Sequence, residues 1–211
     1  MNIKKLGHCC LLIKTNGVTI LTDPGAWSTM QNEAVGIDVV LITHEHQDHY
    51  HLDSVNTVLK NNPNAVIITN NAVGKLLDEH GIAHRIVTDG ISESIKNISL
   101  RGVGTVHALI HDSIPSVENT GYIIDDYLYF PGDAFAIPSQ PVTVLALPVC
   151  GPWMHISEAL DFAEKVNPKV CFPIHDGMLK IFGPFHRVPQ IVLEPKGIQF
   201  VSMTEGEEKE F

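Results

Sequence analysis

The sequence predicts an α/β (α+β) sandwich, with two β-sheets packed face to face and helices on the outside. Three observations carry that expectation. Two mostly β stretches, one on either side of residue 90, each hold helical segments as well as strands. No repeat, low-complexity tract or Gly/Ser linker divides the chain. The length, 211 residues, suits one sandwich of roughly 200 residues, so a single domain spanning 1–211 is expected.

The elements follow in order. Cys9–Lys14 and Val18–Asp23 are apolar runs joined by Thr15-Asn16-Gly17, and Asn-Gly is a strong hairpin signal. Val39–Thr43 (VVLIT) lacks alternation and reads as a strand buried on both faces. Leu52–Lys60 has apolar residues at helical spacing, and Asn61-Asn62-Pro63-Asn64 stops it. Ala65–Thr69 is a second buried strand. Asn70–Glu79 is a helix with Gly81 just beyond its end, followed by a strand near His84–Thr88. Strands return between Ile91 and Val106. Gly121–Ile124 and Tyr127–Phe130 form a hairpin across Asp125-Asp126, and Val142–Leu147 is buried. Ser157–Val166 is a helix with Ser157 as its expected cap. Val170–Ile174 is a strand. The tail holds a broken helix near Pro184–Leu193, a strand near Ile198–Val201 and an acidic end, Glu205–Glu210.

Composition narrows the function. Lys plus Arg total 14 against 24 Asp plus Glu, a formal charge of −10. Duplex nucleic acid and anionic membranes need a cationic footprint, so neither is expected as a partner. Twelve histidines ask for a metal or acid/base explanation. Cys9, Cys10, Cys150 and Cys171 have no CxxC spacing and read as reduced thiols, with Cys9 and Cys10 facing opposite sides. With no secretory signal or membrane-length apolar run in view, a soluble cytoplasmic protein is expected.

The decisive segment is Thr43-His44-Glu45-His46-Gln47-Asp48-His49. His44 and His46 are two apart, so in an extended loop both imidazoles point the same way. Four ligand-type side chains at the end of a buried strand fit neither core packing nor a solvated face. A hydrolytic metal pair needs further ligands, and the chain offers them beyond strands: His107 after Leu100–Val106, Asp133 after Pro131-Gly132, and His175 after Val170–Ile174.

His44 to His49 as HxHxDH, then His107, then Gly132-Asp133, then His175 resembles the metallo-β-lactamase superfamily. Leu6-Gly7-His8, Leu21-Thr22-Asp23-Pro24, Gly151-Pro152-Trp153-Met154 and Phe172-Pro173-Ile174-His175 resemble its branch of small metal-dependent hydrolases, which includes ascorbate-6-phosphate lactonase-like proteins. The resemblance implies a four-layer αββα fold and a dinuclear centre. It implies His44, His46 and His107 on one metal, Asp48, His49 and His175 on the other, and Asp133 bridging. His111 is the alternative third ligand of the first metal; His107 is preferred because it directly follows the strand. Asp23 is implied to orient a ligating histidine. His8 either faces the site or is a plain strand histidine. His155, just before a helix, is either a general acid beside a bound anion or a surface residue. His111 and His186 are expected in loops.

The function so implied is a dinuclear hydrolase. A metal-bridging hydroxide, hydrogen-bonded by Asp48, would attack a small anionic ester, lactone or phosphodiester. The alternatives are a nuclease of the same fold and a catalytically silent metal-binding protein. An all-His/Asp donor set suits zinc foremost, with manganese, iron, nickel or cobalt also accepted. The expected partner is a small-molecule substrate, and a homo-oligomer is left open.

Overall fold

A computed structural model describes residues 1–211. The first half forms a seven-stranded sheet. Its strands are β1 (Asn2–Gly7), β2 (Cys10–Thr15), β3 (Val18–Thr22), β4 (Val39–Leu41), β5 (Val66–Thr69), β6 (His84–Ile86) and, from the C-terminus, β14 (Glu208–Glu210). Helices α1 (Leu52–Asn61) and α2 (Asn71–Glu79) connect β4 to β5 and β5 to β6. β3 to β6 run parallel, as helical crossovers require, while β1, β2 and β14 are antiparallel. In the β2–β3 hairpin Asn16 and Gly17 both take positive φ, +46° and +74°. That twist is the one Asn-Gly supplies cheaply.

The second sheet also has seven strands: β7 (Ser92–Ile95), β8 (Ile98–Val103), β9 (Gly121–Ile124), β10 (Leu128–Phe130), β11 (Val144–Pro148), β12 (Val170–Ile174) and β13 (Gln199–Phe200). α3 (Ile156–Val166) and α4 (Gly183–Leu193) follow β11 and β12. Three apolar clusters define the layers. Ile3, Leu11, Ile13 and Leu41 of one sheet meet Leu100, Phe130, Val144 and Phe172 of the other. Val55, Val58, Val73 and Leu77 of α1 and α2 pack on Leu21, Val40 and Ile67. Leu160, Phe162 and Ala163 of α3 pack on Tyr129, Leu145 and Cys171. The order helix, sheet, sheet, helix is the expected αββα sandwich. Cys9 joins the inter-sheet cluster and Cys10 the outer one, so adjacent thiols do face opposite sides.

Several expectations need correction. Asn2–Gly7, unassigned from sequence, is a strand, and so is part of the acidic end: Glu208–Glu210 pairs with Asn2–Lys4. α3 begins at Ile156, so the N-cap is His155 and not Ser157; the backbone N–H of His155 donates to Glu158 Oε2 at 2.6 Å. α4 runs unbroken with Pro189 inside it, and it carries His186, which is buried rather than in a loop. β8 stops at Val103, where Gly104 turns to φ +80°, so His107 sits in the loop beyond the strand instead of capping it. No helix is long and apolar enough to cross a membrane.

Candidate metal centre

The HxHxDH segment leaves the first sheet just past β4, and Asp23 fixes it at both ends. Asp23 Oδ1 accepts the Thr43 backbone N–H and Oδ2 the Thr43 hydroxyl, both at 2.8 Å, and Oδ2 also accepts His49 Nδ1–H at 2.7 Å. The turn after Asp23 can lie against the loop because residue 25 is glycine. A Cβ there would stand 1.8 Å from the Asp48 carbonyl oxygen.

Four imidazoles share one orientation. His49 Nδ1 donates to Asp23, His44 Nδ1 to Thr43 Oγ1, His107 Nδ1 to the Ala108 carbonyl and His175 Nδ1 to the Cys150 carbonyl. Each bond occupies one ring nitrogen and leaves the other with a free lone pair, the usual arrangement for ligating histidine. The Nε2 atoms of His44, His49, His107 and His175 are all buried without a hydrogen-bond partner, and so is Asp133 Oδ1. Buried polar atoms are rarely left unpaired. Five such atoms together form a donor set of imidazole and carboxylate, so these residues fit the divalent metals implied by the sequence.

Asp133 is the hub. Its Oδ2 lies 2.9 Å from His175 Nε2, 3.4 Å from His107 Nε2 and 3.9 Å from His44 Nε2, and its Oδ1 lies 3.2 Å from His49 Nε2. Gly132 puts it there with φ +64°; a Cβ would meet Asn119 Oδ1 at 2.5 Å and Thr43 Cβ at 2.8 Å. Asn119 Oδ1 in turn accepts the Asp133 N–H at 3.0 Å. Around this hub, donor atoms of His44, His46 and His107 lie within 4.8 Å of one another, and so do those of His44, His49 and Asp133. Asp48 Oδ2 is 3.7 Å from both His49 Nε2 and His175 Nε2. His46 is half-buried at the solvent side of the group.

Protonation suits metal binding at His44, His46, Asp133 and Asp48. Burial lowers His44 and His46, keeping both neutral. Burial raises Asp133, but the His175 and His49 charges overcome it and hold the carboxylate well below its ordinary range. Asp48 behaves the same way: burial opposes ionisation, yet the His8 hydrogen bond brings it down to about 2. His49 is the exception: the Asp133 and Asp23 carboxylates override burial and favour its imidazolium, so a cation binding there would displace a proton.

His8 faces the site. Its Nδ1 accepts the Gly177 N–H at 3.2 Å, so Nε2–H is left to donate to Asp48 Oδ2 at 3.2 Å. His8 therefore orients Asp48 and lacks the bare nitrogen of the other four. His8, Asp23 and His175 have φ of +36°, +36° and +59°. Such left-handed non-glycine residues cost on the order of 1–3 kcal/mol each and gather at functional sites.

Two expected residues lie elsewhere. His155 is exposed at the start of α3, beside Trp153 and Leu109, and makes no contact with the cluster. His111 is exposed and bonds Ser113. Sequence reasoning missed two features. The Cys9 sulfur lies within 4.8 Å of donor atoms of His8, His49 and His175, directly beneath the centre, with burial pushing its thiol far up. Lys5, only 2% exposed, reaches Asp176 Oδ1 at 2.6 Å and Oδ2 at 2.7 Å, while His186 Nε2–H donates to Asp176 Oδ2 at 3.1 Å. This ion pair anchors the residue after His175. A signal existed: Lys5 shares a β face with Ile3.

Two predictions arise here. Asp23→Ala removes the acceptor that orients His49, so metal affinity falls about 10–100-fold, read by chelator competition. Cys150→Ser leaves metal content unchanged, because residue 150 serves His175 through its carbonyl. Metal loss in the serine variant, measured by plasma mass spectrometry, would contradict this.

Comparisons with known proteins agree with the geometry. Residues 2–175 match the family described as the beta-lactamase superfamily domain. A Mycobacterium tuberculosis protein is 36% identical over 184 residues, 85% of each chain. A UPF0173 metal-dependent hydrolase from Methanocaldococcus jannaschii is 27% identical over 185 residues, covering 80% of this chain and 81% of the relative. Among solved structures, Igni18, a metallo hydrolase from the archaeon Ignicoccus hospitalis, superposes with TM-score 0.78 at 22% identity over 100% of this chain and 98% of that one.

Proposed function

We propose, from the premise that this chain belongs to the beta-lactamase superfamily, that it is a metal-dependent hydrolase working with two divalent cations. His44, His46 and His107 are assigned to the first cation, Asp48, His49 and His175 to the second, and Asp133 to both. The observation that carries the reading is the convergence of four bare, buried Nε2 atoms on one buried carboxylate.

When bound, two such cations would lower the pKa of a coordinated water towards about 7 and polarise the scissile carbonyl or phosphoryl oxygen. The protein's own groups do the rest. Asp48, steadied by His8, is positioned to accept a hydrogen bond from the attacking water. Trp153 stands edge-on to His107 and His175, 5.8 Å and 5.7 Å between ring centroids, and keeps bulk water off that flank. Two carboxylates offset half the charge of two divalent cations, so the loaded site stays positive towards a developing oxyanion. The reaction class is hydrolysis of a small ester, lactone or phosphodiester.

The test combines metal analysis of the purified protein with turnover of bis(p-nitrophenyl) phosphate and a lactone panel. Two metals per chain with turnover is the expected result. Two metals with no turnover on any substrate would leave a silent metal-binding protein instead.

A further inference from the structure

We infer that the site takes a neutral acyl compound, an ester or lactone, and seats its apolar acyl chain in the cleft beside His107. This rests on the hydrolytic reading above and narrows its substrate class.

An open cleft of about 670 Å³ runs directly off His107. Its walls are Val106, Leu109, Ala134, Phe135 and Ala136, with Gly104, Thr105, Ala108 and Ser116 completing the rim. Apart from His107 no wall residue is ionisable. Val106 and Leu109 are 55% and 60% exposed, so large apolar side chains face solvent beside a buried polar cluster. Such a patch marks a ligand groove more often than an accident of folding, and the volume falls within the range of small-molecule sites. On the other side of Leu109, the neighbouring depression holds Ile110, Pro152, Trp153 and Met154, with His155 and Glu158 as its ionisable residues.

The walls decide between the candidate substrates. A phosphodiester keeps an anionic phosphoryl group throughout, and beyond the cations themselves its hold would come from Lys or Arg. Neither lines the cleft or the depression beside it. Lys5, the nearby buried cation, is already matched by Asp176. The sequence expectation named an anionic substrate, and the cleft adds no Lys or Arg to hold one. An acyl bond needs none, because its oxyanion develops only in the transition state and at the metal pair. In the step proposed, the water oxygen bonds to the carbonyl carbon and the bond from that carbon to the alkoxy oxygen breaks. The water's protons go to the departing oxygen and to the acid formed. The chain of the acid side lies along Leu109 and Phe135.

The metal-loaded protein is assayed with p-nitrophenyl acetate, butyrate and octanoate and with bis(p-nitrophenyl) phosphate. Binding of octanamide and acetamide, which are neutral and resist cleavage, is followed in parallel by tryptophan fluorescence. The expected results are a kcat/KM at least tenfold higher for octanoate than for acetate, and octanamide binding at least tenfold tighter than acetamide. Leu109→Asp, a change at an exposed position, should collapse both ratios about tenfold with metal content retained. Equal binding of the two amides, a flat chain-length series, or a phosphodiester turned over faster than octanoate would overturn the assignment. Absence of all turnover alongside a preserved octanamide preference would sink the hydrolytic reading while leaving the apolar seat standing.

Discussion

Asp133→Ala is expected to lose both metals and, with them, hydrolysis, by about 10³-fold or more, since the cations it holds would supply both the activated water and the oxyanion's stabilisation. Four imidazole nitrogens depend on this carboxylate for a common centre, at 2.9 to 3.9 Å. No other carboxylate lies near all four: Asp48 stands 3.7 Å from His49 and His175 and is not paired with His44 or His107. Without Asp133 the ring nitrogens of His44 and His107 face those of His49 and His175 with no negative charge between them, and two cations held there would repel unscreened. The loss is read in two independent ways, by plasma mass spectrometry and by turnover. Asp133→Asn separates charge from shape, because the amide keeps the volume and the acceptor oxygen. It should lose metal nearly as fully as alanine. A variant that still carries two metals would remove Asp133 from its bridging role.

Lys5→Met is expected to produce the largest loss of stability, about 3–5 kcal/mol, the usual result of stranding one member of a buried ion pair. Lys5 and Asp176 are 2% and 1% exposed, and Lys5 Nζ also donates to the Pro173 carbonyl at 2.9 Å. For a chain of 211 residues that corresponds to a fall in Tm of roughly 10 °C. Burial raises the Asp176 carboxyl, but the His186 hydrogen bond and the Lys5 charge bring it below the ordinary 3.8. A depressed carboxylate contributes stability that is whole above 3.8 and lost as pH falls through its lower folded value. The penalty of Lys5→Met is therefore largest near neutrality and shrinks below about pH 4, as the stranded carboxyl takes up a proton. Urea unfolding of metal-free protein at pH 7 and pH 3 measures both numbers. A variant within 1 kcal/mol of the parent at pH 7 would show that the pair carries no such weight.

The two residues were unequally legible. Asp133 announces itself through Gly132 and its place after an apolar strand, because the chain needs glycine to turn there. Lys5 reads as half of a Lys-Lys pair until β1 is recognised as a strand. Its partner Asp176 is 171 residues away, and no local pattern links them. The same holds for Cys9, which composition alone made one thiol among four. His8 and Asp23 were visible only as family-like segments; their left-handed backbone and their bonds to Asp48 and His49 were not. The strand ends after β4 and β12 were legible because β-branched and apolar runs stop sharply at His44 and His175. His107 was found by its neighbourhood, although its strand ends three residues earlier than expected.

The sequence by itself determined the layered α/β architecture and the HxHxDH loop, since periodicity and two-residue spacing are properties of neighbours along the chain. The tertiary structure alone decided which nitrogen of each imidazole stays bare, which carboxylate stands among them, and what lines the way in. Those depend on contacts between residues far apart in the chain, made only when the two sheets close on one another and bring the loops beyond β4, β8, β10 and β12 to one end of the sandwich.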